Sequence, residues 1–215
     1  MIITVGGQKG GSGKSCLAQN LASALVHRKR QVMLIDADPQ KTSADWADER
    51  STTDAPAIDH QAMTGDISKT ALALTRDRIL IIDCGGRDTR ELRSAMVVSD
   101  LLLVPTRPKR RDLKTLDYVS DLVEKSRITN PDLIARTVIS QAPTLPSQIQ
   151  RILDAKAVSE SFGLPALNAI IYTRNVYDDA EESGLSVFEA NDEKAKTEIS
   201  QVLDEILALT EGKAA

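Results

Sequence analysis

A glycine-rich loop near the start of the chain carries the clearest chemistry in the sequence. Residues 6–15 read GGQKGGSGKS. In a phosphate-binding loop, main-chain N–H groups surround the phosphates, a lysine meets the terminal phosphates and a hydroxyl binds Mg²⁺; here those side chains are Lys14 and Ser15. The loop departs from the ordinary pattern at Gln8, where a glycine is expected, and at Lys9, which is an additional lysine. The residues predicted to hold phosphates are Lys9, Gly10, Gly11, Ser12, Gly13, Lys14, Ser15 and Cys16.

The sequence around the loop supplies the structural context that such a loop needs. Residues 2–5 form an apolar run that predicts a strand, and Leu17, Leu21 and Leu25 recur at helical spacing after the loop. The start of that helix would point its free N–H groups and the positive end of its dipole at the loop. A flexible glycine-rich turn is therefore the weaker interpretation.

Three aspartates follow other apolar runs. Asp36 and Asp38 come after residues 32–35, and Asp83 comes after residues 79–82. Each aspartate alone could be a turn residue or a helix cap, but a carboxylate at the end of a buried strand is unfavourable unless it is paired, hydrogen-bonded or close to a cation. Mg²⁺ prefers oxygen ligands and keeps several waters, so these carboxylates could hold it through those waters. A carboxylate beside the terminal phosphate could also orient an attacking water.

The residues after the third aspartate predict a switch. Gly85 and Gly86 give the main chain the freedom to swing an N–H group towards a γ-phosphate and away again. The guanine-specific Asn-Lys-x-Asp box is absent, which favours ATP over GTP. Phosphoryl transfer to water depends on positioning and charge neutralisation, and Lys14, Ser15 and Mg²⁺ would neutralise the charge.

The elements that must position these residues alternate along the chain. Alternating strands and helices predict a single α/β domain over residues 1–215, with a doubly wound, mostly parallel sheet, helices on both faces and ligands at the carboxyl ends of the strands. The predicted strands include residues 2–5, 32–35, 79–82, 101–104, 137–139 and 169–172. The predicted helices include residues 14–27, 43–50, 90–98, 111–125, 147–161 and 193–209.

Composition narrows the class of protein. The 215 residues carry a net charge of −4, so any DNA contact must use a local basic patch. Aromatic residues make up 3% of the chain, which argues against a stacking platform for single strands. Two cysteines give no disulfide framework, and we predict a reducing cytoplasm. The sequence shows neither an apolar run that could span a membrane nor a signal peptide.

Several segments together resemble a known family. The phosphate and carboxylate motifs resemble those of the deviant Walker-A ATPases of the ParA/MinD superfamily, and these motifs are KGGSGKS at 9–15, DADPQ at 36–40 and IDCG at 82–85. Further segments are similar to the small ParA proteins of plasmid partition, of the ParF type, and they are DW at 45–46, VSD at 98–100 and SVFE at 186–189. Because the loop begins within ten residues of Met1, no N-terminal helix-turn-helix domain is expected.

The resemblance implies a role for each motif residue. ATP would close two copies of the chain into a sandwich dimer, in which Lys9 reaches the partner's phosphates and Lys14 acts in its own subunit. Asp38 would position or activate the attacking water, although the division of roles between Asp36 and Asp38 stays open. The catalytic residues implied are Lys9, Lys14 and Asp38, and the magnesium residues implied are Ser15, Asp36 and Asp83.

The resemblance also implies partners. The ATP-bound homodimer would bind DNA without sequence preference on the nucleoid, and a higher-order polymer is a further expectation. A small centromere-binding, ParB-like partner would stimulate hydrolysis and release the dimer from DNA. Cycles of this kind would move or space plasmids. No membrane partner is expected.

Four alternatives remain at this point. Related ATPases position protein cargo on the nucleoid, and nothing in the sequence separates the two kinds of cargo. A MinD-like membrane cycle needs a basic amphipathic last helix, whereas Glu198, Asp204 and Glu205 make this one acidic. An iron–sulfur carrier needs cysteines displayed together at a dimer face, and Cys16 and Cys84 are not placed for that. The fourth is a nucleotide-locked scaffold or filament with negligible turnover.

The most basic segment is RPKRR at 107–111, followed by Lys114. It comes after a predicted strand, at the edge where the nucleotide should lie. It is a solvated loop, a DNA contact or a contact with another dimer. The residues predicted for DNA or a partner are Lys109, Arg110 and Arg111, and those predicted near the base are Arg107, Pro108 and Arg174.

Overall fold

Seven parallel strands form one sheet at the centre of the molecule. The computed structural model describes residues 1–211. The sheet order is β3-β2-β4-β1-β5-β6-β7, and every pair is parallel. The strands are β1 (Ile2–Val5), β2 (Val32–Ala37), β3 (Asp59–Ala62), β4 (Ile79–Cys84), β5 (Leu101–Thr106), β6 (Ile134–Ala142) and β7 (Ala166–Tyr172). This architecture confirms the predicted doubly wound α/β fold.

Helices cover both faces of the sheet. They are α1 (Lys14–His27), α2 (Thr42–Arg50), α3 (Ser68–Leu74), α4 (Arg90–Val98), α5 (Arg110–Leu113), α6 (Leu116–Arg127), α7 (Ile149–Ser161), α8 (Asn175–Glu181) and α9 (Glu193–Glu211). A 3₁₀ turn at Pro146–Gln148 leads into α7. No helix within residues 1–211 combines the length and apolar character that crossing a bilayer requires.

The structure adds elements that the sequence pattern did not predict. β3 reads DHQA, is largely exposed and pairs only with β2, so it lacks the apolar run of the other strands. Helices α3 and α8 were also not predicted. The helix predicted over 111–125 is divided into α5 and α6, and the hydroxyl of Thr115 at the break donates to the carbonyl of Asp112 (2.7 Å).

Successive residues of each strand pack into separate cores on the two faces of the sheet. Ile3 and Val5 join the core under α1 and α9, while Ile2 joins the core under α4 and α6. Helices cover both faces of the sheet, so the sequences of its central strands are continuous apolar runs. The register places Asp83 of β4 directly beside Val5 of β1 and Asp36 of β2. The carboxyl edge of the sheet therefore brings the predicted aspartates next to the glycine-rich loop.

A buried ion pair fastens α2 to the segment before α9. The Arg50 guanidinium is fully buried, lies over the Trp46 ring (5.2 Å) and donates to both oxygens of Glu189 (2.5 and 3.2 Å). His27 and Ser186 also contact Glu189 (2.6 Å each). Burial would raise the pKa of Glu189, but these contacts outweigh it and hold the pKa at about 2. The carboxylate is thus charged well below neutral pH.

We expect this carboxylate to make stability depend on pH in the acid range. Because its pKa is lower in the folded than in the unfolded state, its stabilisation is complete above about pH 4.5 and is lost as pH falls towards 2. The full effect is about 3 kcal/mol. Glu189→Gln should be less stable at pH 7, and its free energy of unfolding should fall less between these pH values. Urea unfolding at several pH values measures this.

The matched control is Glu124→Gln, which changes an exposed carboxylate paired only with Arg127. Its unfolding should follow the wild-type pH dependence. An equal acid-range loss in wild type and Glu189→Gln would refute the assignment to Glu189.

Candidate active site

The loop between β1 and α1 curls round the start of α1. Gly11 and Gly13 have φ angles of 69° and 84°, a left-handed conformation that favours glycine. The carbonyl of Gly13 accepts the first helical hydrogen bond of α1, from Leu17 N (2.9 Å). The remaining N–H groups at the start of α1 face the cleft above the loop, which suits an anionic ligand.

Lys14 is the buried cation of the loop. Its ammonium donates to the carbonyl of Lys9 (2.9 Å) across the curl. Burial lowers the pKa of Lys14, while the charges of Asp83 and Asp38 oppose that shift. Since burial removes it from water, this ammonium favours a strongly anionic neighbour.

Lys9 differs from Lys14 in its surroundings. Its side chain is half-buried and makes no hydrogen bond or ion pair with any residue that the structure describes. Only its carbonyl is used, by Lys14 and by the Ser12 hydroxyl (3.3 Å). The Lys9 ammonium is therefore available to a group other than the residues that the structure describes.

Asp83 offers an oxygen atom to a ligand. Its Oδ2 accepts from the Ser43 hydroxyl (2.7 Å), whereas its buried Oδ1 has no partner among the described residues. Burial raises the pKa of Asp83 to about 7, although the hydroxyls of Ser15 and Ser43 counteract the shift. A buried oxygen without a donor is costly unless a cation or its water shell meets it. This donor set fits Mg²⁺ held through water.

Asp36 and Asp38 differ in what their oxygens contact. Asp36 is buried, and its two oxygens accept from the main-chain N–H groups of Asp38 (2.9 Å) and Ala44 (2.8 Å). Burial raises its pKa, and those hydrogen bonds oppose the shift. Asp38 is half-buried, and its Oδ1 accepts from the main-chain N–H of Gln40 (3.0 Å). Its Oδ2 faces the switch segment, since a Cβ on Gly85 would lie 3.1 Å from it. Asp36 therefore shapes the turn that presents Asp38.

The switch segment lies against the loop. A Cβ built on Gly86 would come within 3.0 Å of Gly10 main-chain atoms and 3.1 Å of the Lys14 ammonium. A side chain at this position would require the loop to shift by a few tenths of an ångström. Within the described part of the chain, no three histidine, cysteine or acidic side chains form a metal cage. A bound Mg²⁺ would thus depend on the Ser15 hydroxyl, phosphate oxygens and waters.

A cleft of about 470 Å³ opens above the loop. Its wall includes Gly10, Gly11, Gly13, Lys14, Ser15 and Cys16 from the loop, together with Asp38, Gly86 and Arg174. Of the residues predicted near the base, Arg174 lines the cleft. Arg107 and Pro108 do not line the cleft. The Arg107 guanidinium instead forms an ion pair with the buried Asp112 of α5, through two hydrogen bonds (2.6 and 3.2 Å).

The end of β6 supports the loop from the side, which sequence reasoning missed. The Ser140 hydroxyl donates to the carbonyl of Ser12 (2.9 Å), and the Gln141 amide donates to that of Gly11 (3.3 Å). Gln141 has a φ of 47°, unusual for a residue with a side chain. These residues end an apolar strand at the carboxyl edge, the same signal that identified Asp36 and Asp83.

Helix α9 contributes a second feature that sequence reasoning missed. Glu198 is nearly fully buried and accepts two hydrogen bonds from Arg174 (2.8 and 2.6 Å). Its other oxygen accepts from Tyr172 N (3.1 Å) and the Tyr177 hydroxyl (3.0 Å). Glu198, counted in the sequence only as one of the acids of the last helix, is thus a buried acceptor. It fixes one wall of the cleft.

The other acids of α9 are also engaged with the protein. Asp204 pairs with Arg28, the residue that follows α1 (2.5 Å), and Glu205 accepts from the main-chain N–H groups of Asn168 (2.8 Å) and Ala169 (2.5 Å) on β7. These contacts dock α9 onto the sheet and α1. Glu198, Asp204 and Glu205 therefore contribute to the packing of α9 in this protein.

Both cysteines are in surroundings that disfavour the thiolate. Burial raises the pKa of Cys16 and of Cys84 above the ordinary thiol value, so both stay protonated. The Asn20 amide contacts the Cys16 sulfur (3.6 Å). The two cysteines act as small packing groups beside the loop and the switch.

Comparison with known proteins now decides the family. A model of the CobQ/CobB/MinD/ParA nucleotide binding domain matches residues 3–187. The chain belongs to this family. The finding confirms the resemblance to ParA/MinD nucleotide-binding ATPases drawn from the loop and aspartate motifs.

Individual relatives match over different lengths. Maintenance of carboxysome distribution protein A (McdA) of Halothiobacillus neapolitanus is 30% identical over 213 residues, which cover 95% of each chain. Protein ParA of Rhizobium radiobacter is 30% identical over 112 residues, covering 52% of this chain and 50% of that protein. The structure of a Cyanothece McdA variant with ATP superposes with a TM-score of 0.73 at 14% identity, over 96% of each chain. This last likeness establishes the fold alone.

We expect Glu198 to control nucleotide affinity through Arg174. Glu198→Ala removes the acceptor for the Arg174 side chain and the Tyr177 hydroxyl, so the cleft wall loses its support. The dissociation constant for a fluorescent ATP analogue should rise about tenfold, a cost of about 1.4 kcal/mol. Fluorescence titration of the folded protein measures this.

The control is Glu193→Ala, which removes an exposed acid of the same helix. It should bind the analogue like wild type. Glu198→Gln, which keeps an oxygen acceptor, should lie between the two. Wild-type affinity in Glu198→Ala would contradict the assignment.

Proposed function

We propose that this protein is an ATP-driven positioning ATPase whose cargo is a protein assembly. The observation that carries the proposal is the 30% identity to McdA across 95% of both chains. The second candidate is plasmid partition, the main expectation from the sequence motifs. The ParA match of the same identity favours it over about half of each chain.

In this proposal the substrate is ATP with Mg²⁺. Ser15, Asp36 and Asp83 would hold the metal and its waters, and the unpartnered Asp83 oxygen supports this. Mg²⁺ supplies charge neutralisation on the phosphates when bound. Lys14 binds the phosphates within its own subunit. The Gly85-Gly86 segment responds to the γ-phosphate.

Asp38 is the proposed water-positioning residue. One oxygen of its carboxylate, Oδ2, faces the switch while Oδ1 accepts from Gln40 N, whereas both Asp36 oxygens are taken up by main-chain N–H groups. This difference supports a structural share for Asp36 and a catalytic one for Asp38. Lys9, whose ammonium has no partner within the described residues, would complete the site of a second copy in an ATP-bound dimer.

The dimer would associate with DNA and with an adaptor protein. Lys109, Arg110 and Arg111 are exposed and make no side-chain ion pair with residues 1–211, which supports a contact with DNA or a partner. The adaptor would be ParB-like in role, stimulating hydrolysis and linking the ATPase to its cargo. This cycle places the protein in the cytoplasm on the nucleoid.

The two lysines should fail in different ways. Lys14→Ala should abolish ATP binding, because the buried phosphate cation is lost. Lys9→Ala should bind ATP as a monomer but lose dimerisation and stimulated hydrolysis, by about 10²-fold or more for a lost charge contact in the reacting site. Asp38→Ala should bind ATP and dimerise without turnover. Equilibrium binding, light scattering and phosphate release measure the three properties.

Lys69→Ala, which removes an exposed lysine of α3, is the control and should match wild type in all three assays. A Lys9→Ala protein that hydrolyses ATP at the full stimulated rate would remove the basis for a site shared between subunits.

Cargo can be identified by the consequence of gene loss. Under the proposal, deletion should cluster a fluorescently labelled protein assembly while plasmid retention stays at the wild-type level, because plasmids are not the cargo. ATPase assays with DNA and the neighbouring gene product should show joint stimulation. Plasmid loss without clustering would favour partition instead, and stimulation by lipid alone would favour a MinD-like cycle.

A further inference from the structure

A cavity of about 660 Å³ lies at the amino-terminal edge of the sheet, opposite the ATP cleft. Its wall is formed by the residues that precede β1, β2, β4 and β5 and by the end of α9. The charged side chains that line it are Lys29, Arg30, Arg76, Arg78, Asp77 and Asp100. Four cationic side chains and two carboxylates thus face one cavity, in a protein whose net charge is −4.

Some of these charged groups already have partners within the protein. Arg78 pairs with Asp59 (2.9 Å), and Asp100 accepts from the main-chain N–H of Ile2 (2.7 Å). Asp77 is an exposed acid that opposes the cations.

The other three cationic side chains have no partner among the residues that the structure describes. Lys29, Arg30 and Arg76 are exposed, and their side chains make no ion pair or hydrogen bond with any residue from 1 to 211. An acidic protein that gathers three free cations at one edge has a local field that attracts anions there.

The main chain holds one of these cations in a conformation that a lysine rarely adopts. Lys29 follows α1 with a φ of 60°, where glycine is usual. The pattern is a Schellman cap, in which Lys29 N donates to Val26 O (2.9 Å) and Arg30 N donates to Leu25 O (3.0 Å). The Lys29 charge therefore stands at a position where glycine would be less strained.

This edge stays accessible in the proposed dimer. The ATP clefts of two copies would face each other, so the amino-terminal ends of the strands would point outwards. The basic segment at 109–111 lies differently, because Asp112 and Thr115 of that region line a small cavity with Lys9. That segment is close to the surface that the second copy would cover.

We propose that this amino-terminal basic cavity, defined by Lys29, Arg30 and Arg76, binds the backbone phosphates of DNA. The inference rests on the proposed function, and it specifies which surface carries the DNA. Gln31 and Thr75 add neutral polar groups to the same wall. The wall contains none of the exposed large apolar side chains that insertion into a bilayer would use. Phosphate contacts without base contacts give binding without sequence preference.

The test is a triple variant, Lys29→Gly, Arg30→Ala and Arg76→Ala. Glycine suits the backbone at position 29, so this change removes a charge without adding strain. DNA affinity is measured by fluorescence anisotropy with a duplex of arbitrary sequence and a non-hydrolysable ATP analogue, between about 50 and 200 mM salt. We expect at least about tenfold weaker binding and a salt slope lower by about two to three. ATPase activity without DNA should stay at the wild-type level.

Two comparison variants make the result specific. Lys69→Ala, Lys125→Ala and Lys196→Ala together remove three positive charges from α3, α6 and α9, and DNA binding should stay near wild type. A second set, Lys109→Ala, Arg110→Ala and Arg111→Ala, reports on the other basic segment. The variant with alanine at 109, 110 and 111 should keep a steeper salt dependence of DNA binding than the variant at 29, 30 and 76.

The outcomes separate this inference from the proposed function. If wild type binds DNA and the triple variant binds it equally well, or no worse than the three-lysine control, the cavity is not the DNA surface and the proposed function stands. If wild type binds no duplex with the ATP analogue, both fail. Binding of wild type but not the triple variant to anionic phospholipid vesicles, with unchanged DNA affinity, would overturn the assignment to DNA.

Discussion

Main-chain pairing of β4 with both β1 and β2 is the constraint on which the whole active site depends. The parallel register sets Asp83 beside Val5 on one side and beside Asp36 on the other. A slip by one residue would turn each aspartate to the opposite face of its strand. Burial of the apolar strands therefore holds two carboxylates where charge is unfavourable. The stability of the surrounding sheet offsets the unfavourable free energy of burying these two carboxylates.

Much of the fold could be predicted because buried parallel strands leave a clear record in sequence. Runs such as 79–82 are apolar on both faces and end in a polar residue, so both the strand and its carboxyl end can be read directly. β3 leaves no such record, since its four residues, three of them exposed, become a strand only through hydrogen bonds to β2. The break between α5 and α6 depends on a local hydroxyl contact that helical spacing does not reveal.

The residues of the candidate site also differ in whether the sequence could predict them. The loop and its aspartates could be predicted because each motif is short and its chemistry is local. Glu198 could not, because its role arises from packing α9 against Arg174 on another element. On sequence alone it reads as one more acid on the polar side of a helix. Ser140 reaches the loop across 128 positions of sequence, and only the fold brings the two together.

The burial of Glu198 has a consequence for how the protein is made. A ribosome releases the glycine-rich loop and all three motif aspartates long before it releases α9. Until α9 docks, Arg174 and Tyr177 lack the acceptor that fixes the wall of the cleft. A half-synthesised chain would therefore hold a phosphate loop without a finished nucleotide site. In the ATP-bound dimer proposed above, nascent chains emerging close together on one messenger would thus be kept from joining before each is complete.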